Sequence, residues 1–171
     1  MHKAAKSPPR TKDIIAQDVA YLNAPLHDKT KRIVVKNAAW AWTTMSGKYE
    51  GCRHWTQAAL DHFNAATGPR KAKGLNHEHV VPIAALFQIL QNLAKPTTQE
   101  IVQQCLEKYL QGVIVTRGEH DKLNEQYKKT MPDGFDFGLH SIYARYEKCG
   151  IKIVEQDAKL PCRPNLTIAS R

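Results

Sequence analysis

The chain has 171 residues, 42% of them hydrophobic, which is enough for one core and fits a single domain. Lysine and arginine number 25 against 16 acidic residues, a formal charge of +9 with the eight histidines neutral. That excess favours polyanions, nucleic acid first among them, and says nothing about fold. No run of about 18 apolar residues exists, which excludes a membrane-spanning helix, and the polar start MHKAAKSPPRTK lacks a signal-peptide apolar segment. A cytoplasmic protein is therefore expected. Cys52, Cys105, Cys149 and Cys162 are far apart with no C-x-x-C pair, so each reads as a small buried thiol rather than a zinc ligand or half of a disulfide.

Residues 1–12, basic and containing Pro8-Pro9, read as a flexible arm. From Lys12 to Asn23 the apolar residues Ile14, Ile15, Val19 and Leu22 recur at helical spacing, with Thr11 as the expected N-cap. A second helix is predicted from Lys29 to Met45, with Ile33, Val34, Ala38, Ala41 and one of Trp40 or Trp42 turned inward. A third is predicted from Arg53 to Ala66, with Trp55, Ala59, Phe63 and Ala66 on one stripe. Tryptophans at such spacing serve as core anchors more often than as base-stacking platforms, and none is assigned to a ligand.

Two more helices are predicted, from Ile83 to Leu93 and from Thr98 to Leu110, the latter introduced by a T-x-x-E capping box at Thr97 to Glu100. Val113 to Thr116 is β-branched and reads as a strand, followed at once by Arg117 to Asn124, a polar stretch suited to opening a helix. A last helix is predicted from Phe137 to Lys148 with Leu139, Ile142, Tyr143 and Tyr146 inward, then a weak strand in Ile151 to Glu155. Residues 161–171 read as a loose tail. The expected fold is a mostly helical α+β single domain over residues 13–160.

The chemistry concentrates in two histidine-bearing segments, Asn76 to Pro82 and Thr116 to Asn124. His120 and Asn124 are four apart, so on a helix they point to one location, which suits an ion. Glu78-His79-Val80-Val81-Pro82, followed later by a strand and a helix start carrying Glu119-His120, resembles the HNH, or ββα-metal, endonucleases. The likeness covers residues 75–124. It departs from the family in a long insertion between the two halves and in having no clear counterpart of the middle asparagine near Gln111-Gly112.

The resemblance implies an embedded ββα-metal motif that hydrolyses DNA phosphodiester bonds. His79 would be the general base, a task suited to an imidazole whose ordinary pKa is near neutrality. Glu78 and His120, with Asn124 as a further ligand, would hold one divalent ion, magnesium or manganese for turnover, with zinc or nickel able to bind. No organic cofactor is expected. Arg70, Lys71 and Lys73 precede the motif and Arg117 precedes the ligand-bearing helix, placing phosphate contacts on both approaches. By analogy the setting is restriction, phage packaging, a mobile element or a toxin.

Two other readings stay open. His77 and His79 share a strand face while Glu78 points away, so with a distant histidine they form a three-histidine zinc hydrolase site. Alternatively, the protein is a non-catalytic basic nucleic-acid-binding module in which the histidine motif is structural. His54, His62 and His140 fall in predicted helices and read as structural, and His2 and His27 carry no assigned role.

Overall fold

The computed structural model describes residues 11–49, 51–68 and 71–156. The basic arm up to residue 10, Arg70, Cys162 and the C-terminal tail lie outside them. Among the described residues eleven elements follow one another, beginning with α1 (Thr11–Asn23) and α2 (Asp28–Thr44). Next come β1 (His54–Thr56), α3 (Gln57–Ala65), β2 (Leu75–His79), α4 (Ile83–Gln91) and α5 (Gln99–Tyr109). The chain closes on β3 (Gly112–Thr116), α6 (Arg117–Tyr127), α7 (Ala144–Lys148) and β4 (Ile153–Glu155). This is an α+β single domain with a small mixed sheet.

Helices α1, α2, α4 and α5 form where periodicity predicts them, because their apolar faces meet. Ile14, Ile15, Leu22, Val35, Leu86, Leu90, Val102 and Leu106 share one buried cluster, and burying such a side chain stabilises by about 1.5–3 kcal/mol. Asn23 ties α1 to the start of α5: its Nδ2 donates to the Thr97 carbonyl at 2.7 Å and its Oδ1 accepts from the Thr97 amide at 2.8 Å. Asn23 thereby occupies the Thr97 amide that a capping box would give to Glu100, the Thr97 hydroxyl donates to the Ala94 carbonyl and accepts from the Lys95 ammonium, and Thr98 caps α5 instead, accepting from the Ile101 amide. Thr11 lies inside α1 rather than ahead of it. At the start of α2 the cap is His27, whose ring accepts from the Lys29 amide.

The sheet has four strands in the order β2-β3-β1-β4, two more than the ββα motif alone implies. β2 and β3 are antiparallel, with Leu75 opposite Thr116 and His79 opposite Gly112. β1 runs parallel to β3 and antiparallel to β4. β1 corrects the helix predicted from Arg53: His54, Trp55 and Thr56 are extended, and the Thr56 hydroxyl then caps α3 by accepting from the Ala59 amide. Trp55 packs with Cys52, Ala59, Leu75 and Ile114 on one face of the sheet, while Val113 and Val115 pack with Leu123 and Tyr146 on the other.

The helix predicted from Phe137 shrinks to α7. Asp136 captures the amides of Gly138 and Leu139 with its side chain, and Ser141 captures that of Tyr143. Such local side-chain bonds compete with helix formation. Leu139, expected inward, is 84% exposed. Cys52, Cys105 and Cys149 are buried free thiols, as their spacing suggested. Among the described residues no helix is long and apolar enough to cross a membrane.

Candidate functional site

Three elements position the centre. β2 and β3 pair, α6 leaves β3 without a break, and α6 leans back on both strands. The turn into α6 is fixed by a capping box: the Thr116 hydroxyl accepts from the Glu119 amide, while the Glu119 carboxylate accepts from the Thr116 amide at 2.9 Å. Thr56 donates to the same carboxylate at 2.7 Å, fastening β1 to the start of the helix. One turn further on, His120 projects toward β2.

There it meets Glu78. His120 Nδ1 lies 2.6 Å from Glu78 Oε1, and the Asn124 amide nitrogen lies 2.8 Å from His120 Nε2. A carboxylate and two helix side chains separated by a long stretch of sequence are thus drawn together. Glu78 and His120 are part-exposed, at 17% and 30%, so the cluster is open to solvent on one side.

Arg145 of α7 holds Glu78 from behind. Its Nη2 donates to Glu78 Oε2 at 3.1 Å and to the His79 carbonyl, its Nε to the Val80 carbonyl at 2.9 Å, and its Nη1 to the Tyr127 carbonyl at 3.3 Å. At 2% exposure this guanidinium is buried, and the ring of acceptors compensates the lost hydration.

His79 goes elsewhere. Neighbouring residues on a strand point to opposite faces, so Glu78 faces α6 while His77 and His79 face α2. His79 Nε2 lies 3.3 Å from the Thr43 hydroxyl, which also lies 3.0 Å from the Ala39 carbonyl. A hydroxyl has one proton, so Thr43 donates to Ala39 and accepts from His79 Nε2–H. Trp40 stands edge-on to His79 with ring centroids 4.8 Å apart. Burial draws the His79 pKa down to about 3, with the neighbouring His77 as the next cause, and burial draws His77 down to about 4.

His77 lies over Gly112, where any Cβ would run into its ring. Neither of its ring nitrogens has a hydrogen-bond partner. The expected quartet is therefore divided: Glu78, His120 and Asn124 come together, and His79 does not join them. The three-histidine set is divided as well, since His120 is on the face opposite His77 and His79. Among the described residues no group of three or more His, Cys, Asp or Glu side chains gathers as a metal cluster; the Glu78 centre has two of these plus an asparagine.

The basic residues take up one end of the strand pair. Lys71 and Lys73 are exposed in the loop before β2, Lys71 with its ammonium 5.4 Å from the centre of the Phe63 ring. The Arg117 amide donates to the Gly74 carbonyl at 2.8 Å, so Arg117 and this loop are neighbours. Arg117 is exposed and pairs with Asp121 at 3.3 Å, a contact of little energetic weight at such exposure. Glu78 is three residues along β2 from Leu75, about 10 Å at the usual strand rise.

Sequence reasoning overlooked Arg145, Thr43 and Gly112, and it weighed Trp40 only as a core anchor, a place that Trp42 takes. Only Gly112 carried a signal, a glycine immediately before a β-branched strand. Compared with family models, curated proteins and solved structures, the chain matches none.

Proposed function

We propose that this protein is a metal-dependent DNA endonuclease of the HNH type whose centre is Glu78, His120 and Asn124. The observation that carries this reading is the contact of Glu78 with His120, a strand residue and a helix residue 42 positions apart, with Asn124 completing the group. Glu78, His120 and Asn124 would offer one divalent ion a carboxylate oxygen, an imidazole nitrogen and an amide oxygen once the Asn124 amide turned from the hydrogen bond its nitrogen makes to His120, a mixed set that suits magnesium or manganese, with zinc or nickel also accommodated. When bound, such an ion stabilises the charge that gathers on a phosphodiester during hydrolysis.

The chain's own groups align the centre and position the substrate. Arg145 keeps Glu78 aligned, and Asn124 fixes the orientation of the His120 ring. Lys71, Lys73 and Arg117, together with Arg70 by its place in the sequence, offer phosphate contacts that position DNA without reading its bases. His79 does not carry over as the general base, because its ring is buried on the far face and a pKa near 3 makes it a weak proton acceptor.

The test is nicking of supercoiled plasmid with manganese or magnesium, with chelator as control. Cutting that chelator abolishes and that Glu78→Ala removes supports the reading; undiminished cutting by Glu78→Ala refutes it. His79→Ala examines the base assignment separately: retained cutting agrees with the geometry. One observation favours a second reading, a non-catalytic nucleic-acid-binding module, namely the burial of His79 away from Glu78. Salt-sensitive DNA binding without cleavage under any divalent ion would establish that alternative.

A further inference from the structure

Helix α2 carries a surface that the Glu78 centre does not use. Lys29, Arg32, Lys36 and Trp40 follow one another at steps of three and four residues, which places them on one stripe of the helix. All four are exposed. None of the three cations is in an ion pair among the described residues. The helix has a single carboxylate, Asp28, at its first position and one turn before Arg32, and no acidic residue follows along the stripe. Four large apolar side chains are exposed among the described residues, and two of them, Ile33 at 55% and Trp40 at 37%, lie here. Trp40 rests on His77 and His79, with ring centroids 5.4 and 4.8 Å away, while more than a third of its surface meets solvent. The indole is thus fixed from one side and offered on the other.

We propose that the α2 stripe is a track for single-stranded DNA, with Lys29, Arg32 and Lys36 on phosphates and Trp40 against an unpaired base. Cations alone would suit any polyanion; the fixed, half-open indole adds the selection. A duplex presents phosphates but keeps its base faces stacked, whereas a single strand offers a base face to an aromatic platform. An anionic membrane surface fits less well, because Lys36 lies between Ile33 and Trp40 along the stripe, with Lys29 and Arg32 just before Ile33, and no continuous apolar strip is left to insert.

From Lys29 to Trp40 the track is about 16 Å long at the α-helical rise. It ends against β2, an edge strand of the sheet that bears Glu78 on its other face. The inference rests on the reading of the chain as a DNA-acting protein, but not on cleavage.

The test is fluorescence anisotropy with the full chain in chelator, using a labelled oligothymidylate of about 12 nucleotides and a duplex of equal length. Tighter binding of the single strand is expected. Trp40→Ala should weaken it roughly 5- to 100-fold, the stacking of one base, while Trp40→Phe keeps most of the affinity. Replacing Lys29, Arg32 and Lys36 together by alanine should reduce the slope of log K against log salt by about 2. These three side chains are solvent-exposed, so this variant tests the track even if Trp40→Ala unfolds. Unchanged binding by a folded Trp40→Ala, a preference for duplex, or binding to phosphatidylserine vesicles in place of the oligonucleotide would overturn the proposal. Binding is read in chelator, where the proposed centre cannot cut, so loss of oligonucleotide binding by Trp40→Ala and loss of plasmid cutting by Glu78→Ala are separate outcomes.

Discussion

Asp18→Asn is expected to stabilise the protein at neutral and alkaline pH and to leave it almost unchanged in acid. Asp18 lies in α1 on the same buried stripe as Ile14 and Leu22, is 1% exposed, and neither of its carboxylate oxygens has a hydrogen-bond partner. Burial pushes its pKa from 3.8 up to about 7. Between those values the unfolded chain has released a proton that the folded chain keeps, so stability falls as pH rises, by about 1.4 kcal/mol per unit. The full penalty, about 4 kcal/mol over a span of about three units, is present above pH 7 and absent below about pH 4. Asparagine keeps the shape and the buried polarity but cannot ionise, so the difference between variant and wild type isolates this one titration. Urea unfolding followed by circular dichroism at pH 4, 6 and 8 should give a gain near zero, then intermediate, then about 4 kcal/mol. A gain equal at all three values, or a loss at pH 8, would show that Asp18 is not held as a neutral acid in the folded state.

Arg145→Met should cost about 3–5 kcal/mol, because it leaves Glu78 and three carbonyls without their buried donor. Combined with Glu78→Gln, a double-mutant cycle should return a coupling of about 1–3 kcal/mol; additive effects would mean that the contact contributes nothing. Gly112→Ala should destabilise by about 1–3 kcal/mol through collision with the His77 ring, and His77→Ala in the same chain should relieve most of that cost. The ring C–H resonances of His77 and His79 should stay still in an NMR titration from pH 8 to pH 5, their pKa values lying near 4 and 3. The sign for stability is opposite to that of Asp18: below about pH 6.5 the unfolded chain takes up protons that the buried rings refuse, so these two residues favour unfolding in acid.

How much of this was legible follows from the range of the forces involved. Ile14, Ile15, Leu22 and Ala38 announce their helices because a repeating apolar stripe is a local pattern with a tertiary outcome, but the inward face of α2 is set by its neighbours: Ile33, expected inward, is 55% exposed and Val35 is buried in its place. β1 was illegible: three residues are too few for a period, and their partners come from β3 and β4, far along the chain. Two T-x-x-E patterns are present, yet only Thr116 to Glu119 closes a capping box, since Asn23 claims Thr97 from another helix. Glu78, His120 and Asn124 could be named from motif and spacing, but the placing of His79 turns on whether the strand alternation of β2 holds through its last residue. It does, as the pairing of His79 with Gly112 records. Arg145 gave no warning at all, because a buried arginine depends on carbonyls assembled by the fold, and no local pattern encodes them.

The two faces of β2 are nevertheless not independent. Arg145 donates through one nitrogen to the Glu78 carboxylate and to the carbonyl of His79, and through another to the carbonyl of Val80. The backbone that seats the His79 ring under Trp40 is therefore fastened by the same guanidinium that aims Glu78 at His120. α7 is held in place in turn by the Lys122 ammonium, which donates to the Cys149 carbonyl at 2.6 Å from the helix that carries His120. A closed loop of contacts runs from α6 through α7 to β2 and back to α6. Within it, displacing the histidine pair shifts the backbone that Arg145 grips, and the carboxylate moves with it. Loss of activity on replacing His79 would then be ambiguous unless the Glu78 to His120 contact were measured in the same variant, whereas loss on replacing Asn124, which touches His120 alone within the cluster, would bear on the centre itself.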